Sequence, residues 1–168
     1  MPTDSDEFSS DDRVTPSAHN TVPAAITHAC MRYRSLLQLP VTHSPCGRHV
    51  VLRSGAVSGL VVPRSLASLI ITGLNDRHLL GPVIADRRSR RATFLTGPPG
   101  ADVLNDFAPL LRLNAWVADL IVLPPPDGGQ GADRRWLVEP RGGSLPPHSA
   151  VVDIATNVAH LDRPGPAQ

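Results

Sequence analysis

The sequence predicts a single compact α/β domain of mixed α+β type, a mixed sheet with three to four helices. Three observations carry this. Short apolar runs alternate with stretches whose apolar residues recur every three or four positions, which are the periods of strands and helices. The links between these runs are short and show no internal repeat, so no second domain boundary is expected. Apolar residues make up 41% of the 168 residues and aromatic ones only 4%, so the chain can build a core, and an aliphatic one.

The elements follow in order. Residues 1–22 are mostly Ser, Asp, Thr and Pro and read as a disordered acidic tail. The domain spans 23–162. A first helix covers 24–37, with Ile26, Ala29, Cys30, Tyr33 and Leu37 on one face, and Pro40 stops it. The turn 43–47 precedes a strand over 48–52. A second strand covers 57–62. Pro63 then opens a helix, with Ser65 as a candidate cap and Leu66, Leu69, Ile70 and Leu74 inward. Gly81-Pro82 turns the chain into a brief strand at 83–85.

The charged segment 86–91 reads as an exposed turn or strand end, followed by a strand at 93–96. Gly97-Pro98-Pro99-Gly100 is a stop. A helix over 102–113 turns Val103, Leu104, Phe107, Leu110 and Leu111 inward, with Asp102 suited to its positive end. A strand over 117–123 ends at Pro124-Pro125-Pro126. A glycine-rich loop at 127–133 leads to a strand at 135–139 carrying Trp136. The last helix, 150–161, faces inward through Ile154, Val158 and Leu161. Residues 163–168 form a second disordered tail.

The formal net charge of +1 hides an asymmetry. Residues 1–12 carry five acidic side chains and no basic one. The rest holds sixteen arginines against ten acids, about +6. An acidic tail on a basic body is either a local competitor for an anionic partner or simply a solvated segment. Every basic residue is arginine, whose planar fork suits phosphate. With Ala, Pro and Gly also abundant, the absence of lysine fits a GC-rich genome and carries no functional weight. No run of about 20 apolar residues is present, so no membrane partner is expected. The acidic N-terminus is unlike a secretory leader, and a cytoplasmic location with two reduced thiols is expected.

The densest feature is Arg87, Arg88, Arg90 and Arg91, four arginines in five positions. They are the candidate nucleic-acid-binding residues. On a strand they would divide between faces; in a turn they would fan outward. Contacts of this kind bind phosphates without reading sequence. The alternative is a solvated loop. Arg48, Arg53, Arg134 and Arg135 are candidates to extend the patch. Two Trp, one Tyr and three Phe give little support for a stacking platform for single strands.

Several short motifs fall into a familiar order: Ser44-Pro45-Cys46-Gly47, Gly81-Pro82-Val83, Arg91-Ala92-Thr93-Phe94-Leu95, Val122-Leu123-Pro124-Pro125-Pro126, a glycine loop, then Arg135-Trp136. In this order, over roughly residues 24–160, the chain resembles small actinobacterial proteins related to the N-terminal domain of bifunctional DNA primase–polymerases, the archaeo-eukaryotic primase class. The resemblance implies a nucleotidyl-transfer fold, carboxylates that hold divalent metal ions and a histidine near the nucleotide phosphates. The chain departs from that pattern. The strand expected to carry paired acids reads Arg48-His49-Val50-Val51-Leu52-Arg53, and no Asp or Glu stands between Asp12 and Asp76. The strand 92–96 has no histidine, and Asp119 lies too near the prolines for the family spacing. An active centre would need Asp86, Asp119, Asp127 or Asp133 to meet.

Other constellations are weaker. Cys30, His43, Cys46 and His49, with His28 nearby, are zinc-type ligands without the usual Cys-x2-Cys spacing; a buried thiol at Cys46, a packed Cys30 and surface histidines are the plainer reading. The 97–100 turn lacks the Gly-Lys-Ser/Thr of a phosphate loop. No Gly-x-Ser-x-Gly elbow is present, which argues against a hydrolase. The sequence thus reads as a divergent primase–polymerase-like domain, non-catalytic, binding DNA or a nucleotide through the arginines. The alternative is a protein-interaction or regulatory module that docks through an aliphatic patch at 57–62 or on the last helix. Neither reading calls for a cofactor, a metal ligand or a catalytic residue.

Overall fold

The computed structural model describes residues 22–38, 41–101, 108–125, 132–141 and 145–161. Residues 1–21 of the tail expected at 1–22, the tail 163–168, the stop at Pro40, the helix start 102–107 and residues 127–131 of the loop expected at 127–133 lie outside these residues. Along the chain the elements are α1 (Ala24–Leu37), β1 (Val41–His43), β2 (Val50–Arg53), β3 (Ser58–Pro63), α2 (Arg64–Asn75), β4 (Val83–Asp86), β5 (Arg91–Thr96), α3 (Ala108–Arg112), β6 (Trp116–Ala118), β7 (Leu120–Val122), β8 (Arg134–Val138) and α4 (His148–Leu161). The domain is mixed α+β with four helices among the described residues.

The strands divide between two sheets. One has three strands in the order β1-β2-β7, and the other has five in the order β6-β3-β5-β4-β8. Every pair is antiparallel. The apolar run expected as one strand at 117–123 is split at Asp119. Its first part, β6, pairs with β3, placing Trp116 opposite Val61. Its second part, β7, pairs with β2 in the other sheet, placing Val122 opposite Val51. The Asp119 carbonyl accepts a hydrogen bond from Ser54 N–H at 2.9 Å, fixing the bend. One chain segment therefore hinges the two sheets together.

The layers follow from the alternation of side chains. On one face of the five-stranded sheet, Leu60, Val62, Ala92 and Phe94 meet Ile70 and Leu74 of α2 and Val151, Ile154 and Ala155 of α4. On the other, Ile84 and Leu95 meet Val50, Leu52, Ile121 and Leu123 of the three-stranded sheet, which α1 covers with Ala29, Cys30 and Tyr33. Gly59 permits the sheets to approach, since a Cβ there would lie 2.7 Å from Ile121 Cδ1. The Tyr33 hydroxyl donates to the Pro124 carbonyl at 2.7 Å and accepts from Trp136 Nε1 at 3.2 Å. These bonds tie α1 to the ends of both sheets and satisfy the polar handles of two large side chains.

Some expectations need correction. Leu69 and Leu111 are exposed, at 42% and 74%, and Ala67 takes the inward place on α2. Ser65 makes no cap: Pro63 is the N-cap of α2 and no side chain bonds there. Val57, Leu60, Val61 and Val62 are buried, so 57–62 offers no docking patch. The turn expected at 43–47 begins inside β1, a strand that the sequence pattern does not reveal. No described helix is long and apolar enough to cross a membrane.

Candidate nucleic-acid interface

The arginine run sits on the β4–β5 hairpin. Asp86 and Arg91 are its last paired residues, and residues 87–90 form the turn. Its backbone is anchored from three directions. Ser89 N–H donates to Asp86 Oδ1 at 3.0 Å, the local bond that makes Asp a turn former. Arg87 N–H donates to the Asp133 carbonyl at 2.7 Å, holding the turn to the start of β8. Arg64 N–H, at the start of α2, donates to the Arg90 carbonyl at 3.0 Å. The turn is thus a fixed platform.

The four arginines have different situations. Arg91, one of the four candidate nucleic-acid-binding residues, is built into the structure. Its guanidinium donates to the Asn114 carbonyl and, at 3.1 Å, to Asn114 Oδ1, and lies 4.7 Å over the Trp116 ring. Arg87 stands 3.9 Å from an exposed Asp133 carboxylate, a loose surface pair that leaves it largely solvated. The side chains of Arg88 and Arg90 are exposed and make no hydrogen bond or ion pair among the described residues. Arg90 adopts φ 56°, a left-handed conformation that costs a non-glycine residue about 1–2 kcal/mol.

Beside the turn lies a cleft of about 310 Å³ between the two sheets. Asp86, Ser89, Arg91 and Thr93 line it from the hairpin. Trp116, Ala118, Leu120, Ile121 and Val122 line it from the bent β6–β7 segment, and Val61, Ile84 and Arg134 complete it. Arg134 is held by Asp86 at 2.9 Å, with both side chains partly buried. Trp116 and Leu120 are two of the few large apolar residues left exposed, at 45% and 49%. Of the arginines expected to extend the patch, Arg134 enters this cleft; Arg48 lies in a neighbouring groove, which Arg134 also lines, and Arg53 and Arg135 are exposed elsewhere.

The carboxylates of the described residues do not assemble. Among the described residues that line the cleft, Asp86 is the only acid. Asp133 is exposed beside Arg87, Asp119 is exposed at the sheet bend, and Asp127 lies outside the described residues. Among the described residues, no three His, Cys, Asp or Glu side chains lie close enough to hold a metal ion. Cys30 is buried on the inner face of α1, and burial pushes its thiol up. Cys46, expected to be buried, is exposed; the Ser44 hydroxyl at 3.2 Å and the Arg48 amide hold its thiol below the usual range.

Sequence reading alone does not find the Arg91–Trp116–Asn114 cluster. Twenty-five positions separate the arginine from the tryptophan, and only the pairing of β5 and β6 on either side of β3 joins them. The alternation Trp116, Ala118, Leu120 is the available signal, and the bend at Asp119 is not visible in it. Compared with known proteins, the chain matches no family model, no curated protein and no solved structure.

Proposed function

We propose that this domain is a divergent, non-catalytic primase–polymerase-like module that binds nucleic acid or a nucleotide at the mouth of the inter-sheet cleft. The observation that carries the reading is the contrast within one turn. Its backbone is bonded on three sides, yet the guanidinium groups of Arg88 and Arg90 are left to solvent. A rigid platform with free, permanently charged forks loses little order on binding phosphate oxygens. The contacts are electrostatic and carry no base information.

The non-catalytic part of the reading rests on Asp86. In-line phosphoryl transfer through two metal ions needs several carboxylates around the reacting oxygens. Among the described residues Asp86 stands without a second acid in the cleft lining, and Arg134 and the Ser89 amide already engage it.

Binding of fluorescent DNA across a salt series tests the proposal. The expected result is affinity that falls steeply as salt rises. In the Arg88→Ala/Arg90→Ala double variant the log–log slope becomes shallower by about 0.9 for each duplex phosphate that is no longer neutralised. Absence of binding at low salt, both in the full chain and in a chain lacking residues 1–22, overturns it.

A further inference from the structure

We infer that the cleft takes one unstacked base of a single strand, lying on the face of Trp116 that Arg91 does not cover. This rests on the phosphate-binding reading above and adds what that reading lacks, a reason to prefer one form of nucleic acid. Buried tryptophans are core residues; this one is 45% exposed on a strand at the cleft wall. It is also positioned. Arg91 lies 4.7 Å over the ring, and Asn114 holds Arg91 through its carbonyl and side-chain oxygens. An indole fixed in this way loses little side-chain freedom when a base stacks on it. A guanidinium behind the ring adds positive charge near the nucleotide.

The cleft dimensions point the same way. Its volume of about 310 Å³ is near the lower end for small-molecule sites. A duplex presents only base edges in its grooves, with the base faces already stacked on one another. A single strand presents faces, and stacking on an aromatic side chain is tolerant of base identity. Ala118 and Leu120 give the base an apolar edge to lie against, and Thr93 and Ser89 offer hydroxyls to its polar rim. The phosphates on either side meet Arg88 and Arg90, three residues and one residue before Arg91.

The experiment compares a 15-nucleotide dT strand, the rU strand of the same length and the dT–dA duplex. It measures affinity and tryptophan emission for the wild type, Trp116→Ala, Trp116→Phe and Arg88→Ala/Arg90→Ala, with melting temperatures recorded for each. The expected result is quenching by a single strand and roughly tenfold or greater preference for it over duplex. Trp116→Ala abolishes the preference while leaving salt-dependent duplex binding, and Trp116→Phe restores part of it. The ratio of dT to rU affinity reads the 2′-hydroxyl together with the 5-methyl group of thymine. Equal affinity for strand and duplex in the wild type, or a preference that survives Trp116→Ala, overturns the stacking inference. If the double arginine variant still loses binding in that case, the phosphate site stands without it. No binding of any probe sinks both.

Discussion

One face of the five-stranded sheet meets two helices; the other meets a smaller sheet. The helical face is closed. Phe94, Leu60, Val62 and Val83 are at most 1% exposed beneath α2 and α4. The opposite face is closed only in part. Ile84 and Leu95 are buried against the three-stranded sheet, but Thr93, Arg91 and Trp116, in the same five-stranded sheet, line an open cleft. The difference arises at Asp119, where the segment that finishes one sheet leaves it to join the other. A helix laid across a sheet fills its surface evenly, whereas two sheets joined at a bend diverge from the hinge. The closed face supplies cohesion, and the diverging one leaves polar and aromatic side chains in reach of solvent.

The comparison predicts where substitution costs most. Phe94→Ala empties the centre of the closed face, and the helices and strands around it can collapse only in part. A loss of about 3–5 kcal/mol is expected in urea unfolding followed by circular dichroism. A loss below about 1 kcal/mol would mean that the helical face does not carry the stability.

Gly59→Val attacks the junction of the two sheets. Its side chain would occupy the space of Ile121 Cδ1 and crowd Thr93 Cγ2, which a Cβ alone would approach to 3.0 Å. Pushing the sheets apart is expected to cost about 1–3 kcal/mol. Trp116 and Trp136 lie on the two edge strands of the five-stranded sheet, one lining the cleft and the other packed against the inter-sheet core, so their emission should shift with the fall in stability. An unchanged spectrum and midpoint would show that the sheets adjust freely at the hinge.

Much of this arrangement is legible in the sequence, and the failures have physical reasons. The 3–4 residue spacing of Ile26, Ala29, Cys30 and Tyr33 gives α1 with its observed bounds, because a helix is a local object. The β4–β5 hairpin is nearly as clear, since Asp86 and Arg91 bracket a short turn. β1 is missed because three residues are too few for a pattern. Leu69 and Leu111 are misassigned because periodicity marks a face but not whether another layer covers it. The cleft is illegible for a different reason. It depends on which sheet each half of 116–122 joins, and both halves read alike as apolar strand. The arginines can be found by composition. That Arg91 is structural and Arg88 and Arg90 are free follows only from long-range pairing.

The closed face also carries a titrating group. His148, at the start of α4, is 2% exposed. The Thr96 hydroxyl donates to the Gly97 carbonyl at 2.8 Å, so at 2.9 Å it accepts from His148 Nδ1–H. Nε2 then carries the lone pair, and it has no hydrogen-bond partner among the described residues. Burial pushes the imidazole below its ordinary pKa of 6.5. The unfolded chain therefore binds the proton first. Stability from the neutral ring is present above about pH 6.5 and is lost as pH falls below it, by at most about 1.4 kcal/mol per pH unit. Unfolding midpoints of wild type and His148→Gln, measured between pH 5 and 8 (about the range in which histidine titrates), should differ in slope. Parallel profiles would show that the ring accepts a proton without cost.

The smallest expected effect on stability separates the two regions most sharply. Arg90 holds a left-handed backbone at φ 56° with its side chain in solvent. Glycine is the ordinary residue for that conformation. Arg90→Gly relieves about 1–2 kcal/mol of backbone strain, but the freer unfolded chain offsets about 0.4–1 kcal/mol of it. The net change in folding should be neutral to stabilising, between zero and about 1.6 kcal/mol by these same terms. DNA affinity should nevertheless fall and its salt dependence weaken, since one fewer phosphate is neutralised. A residue that the fold does not need, held where another residue fits better, is what a binding role at this turn would require. If Arg90→Gly lowers the melting temperature and leaves DNA binding intact, the side chain serves the hairpin rather than a ligand, and the open face loses its claim to the function.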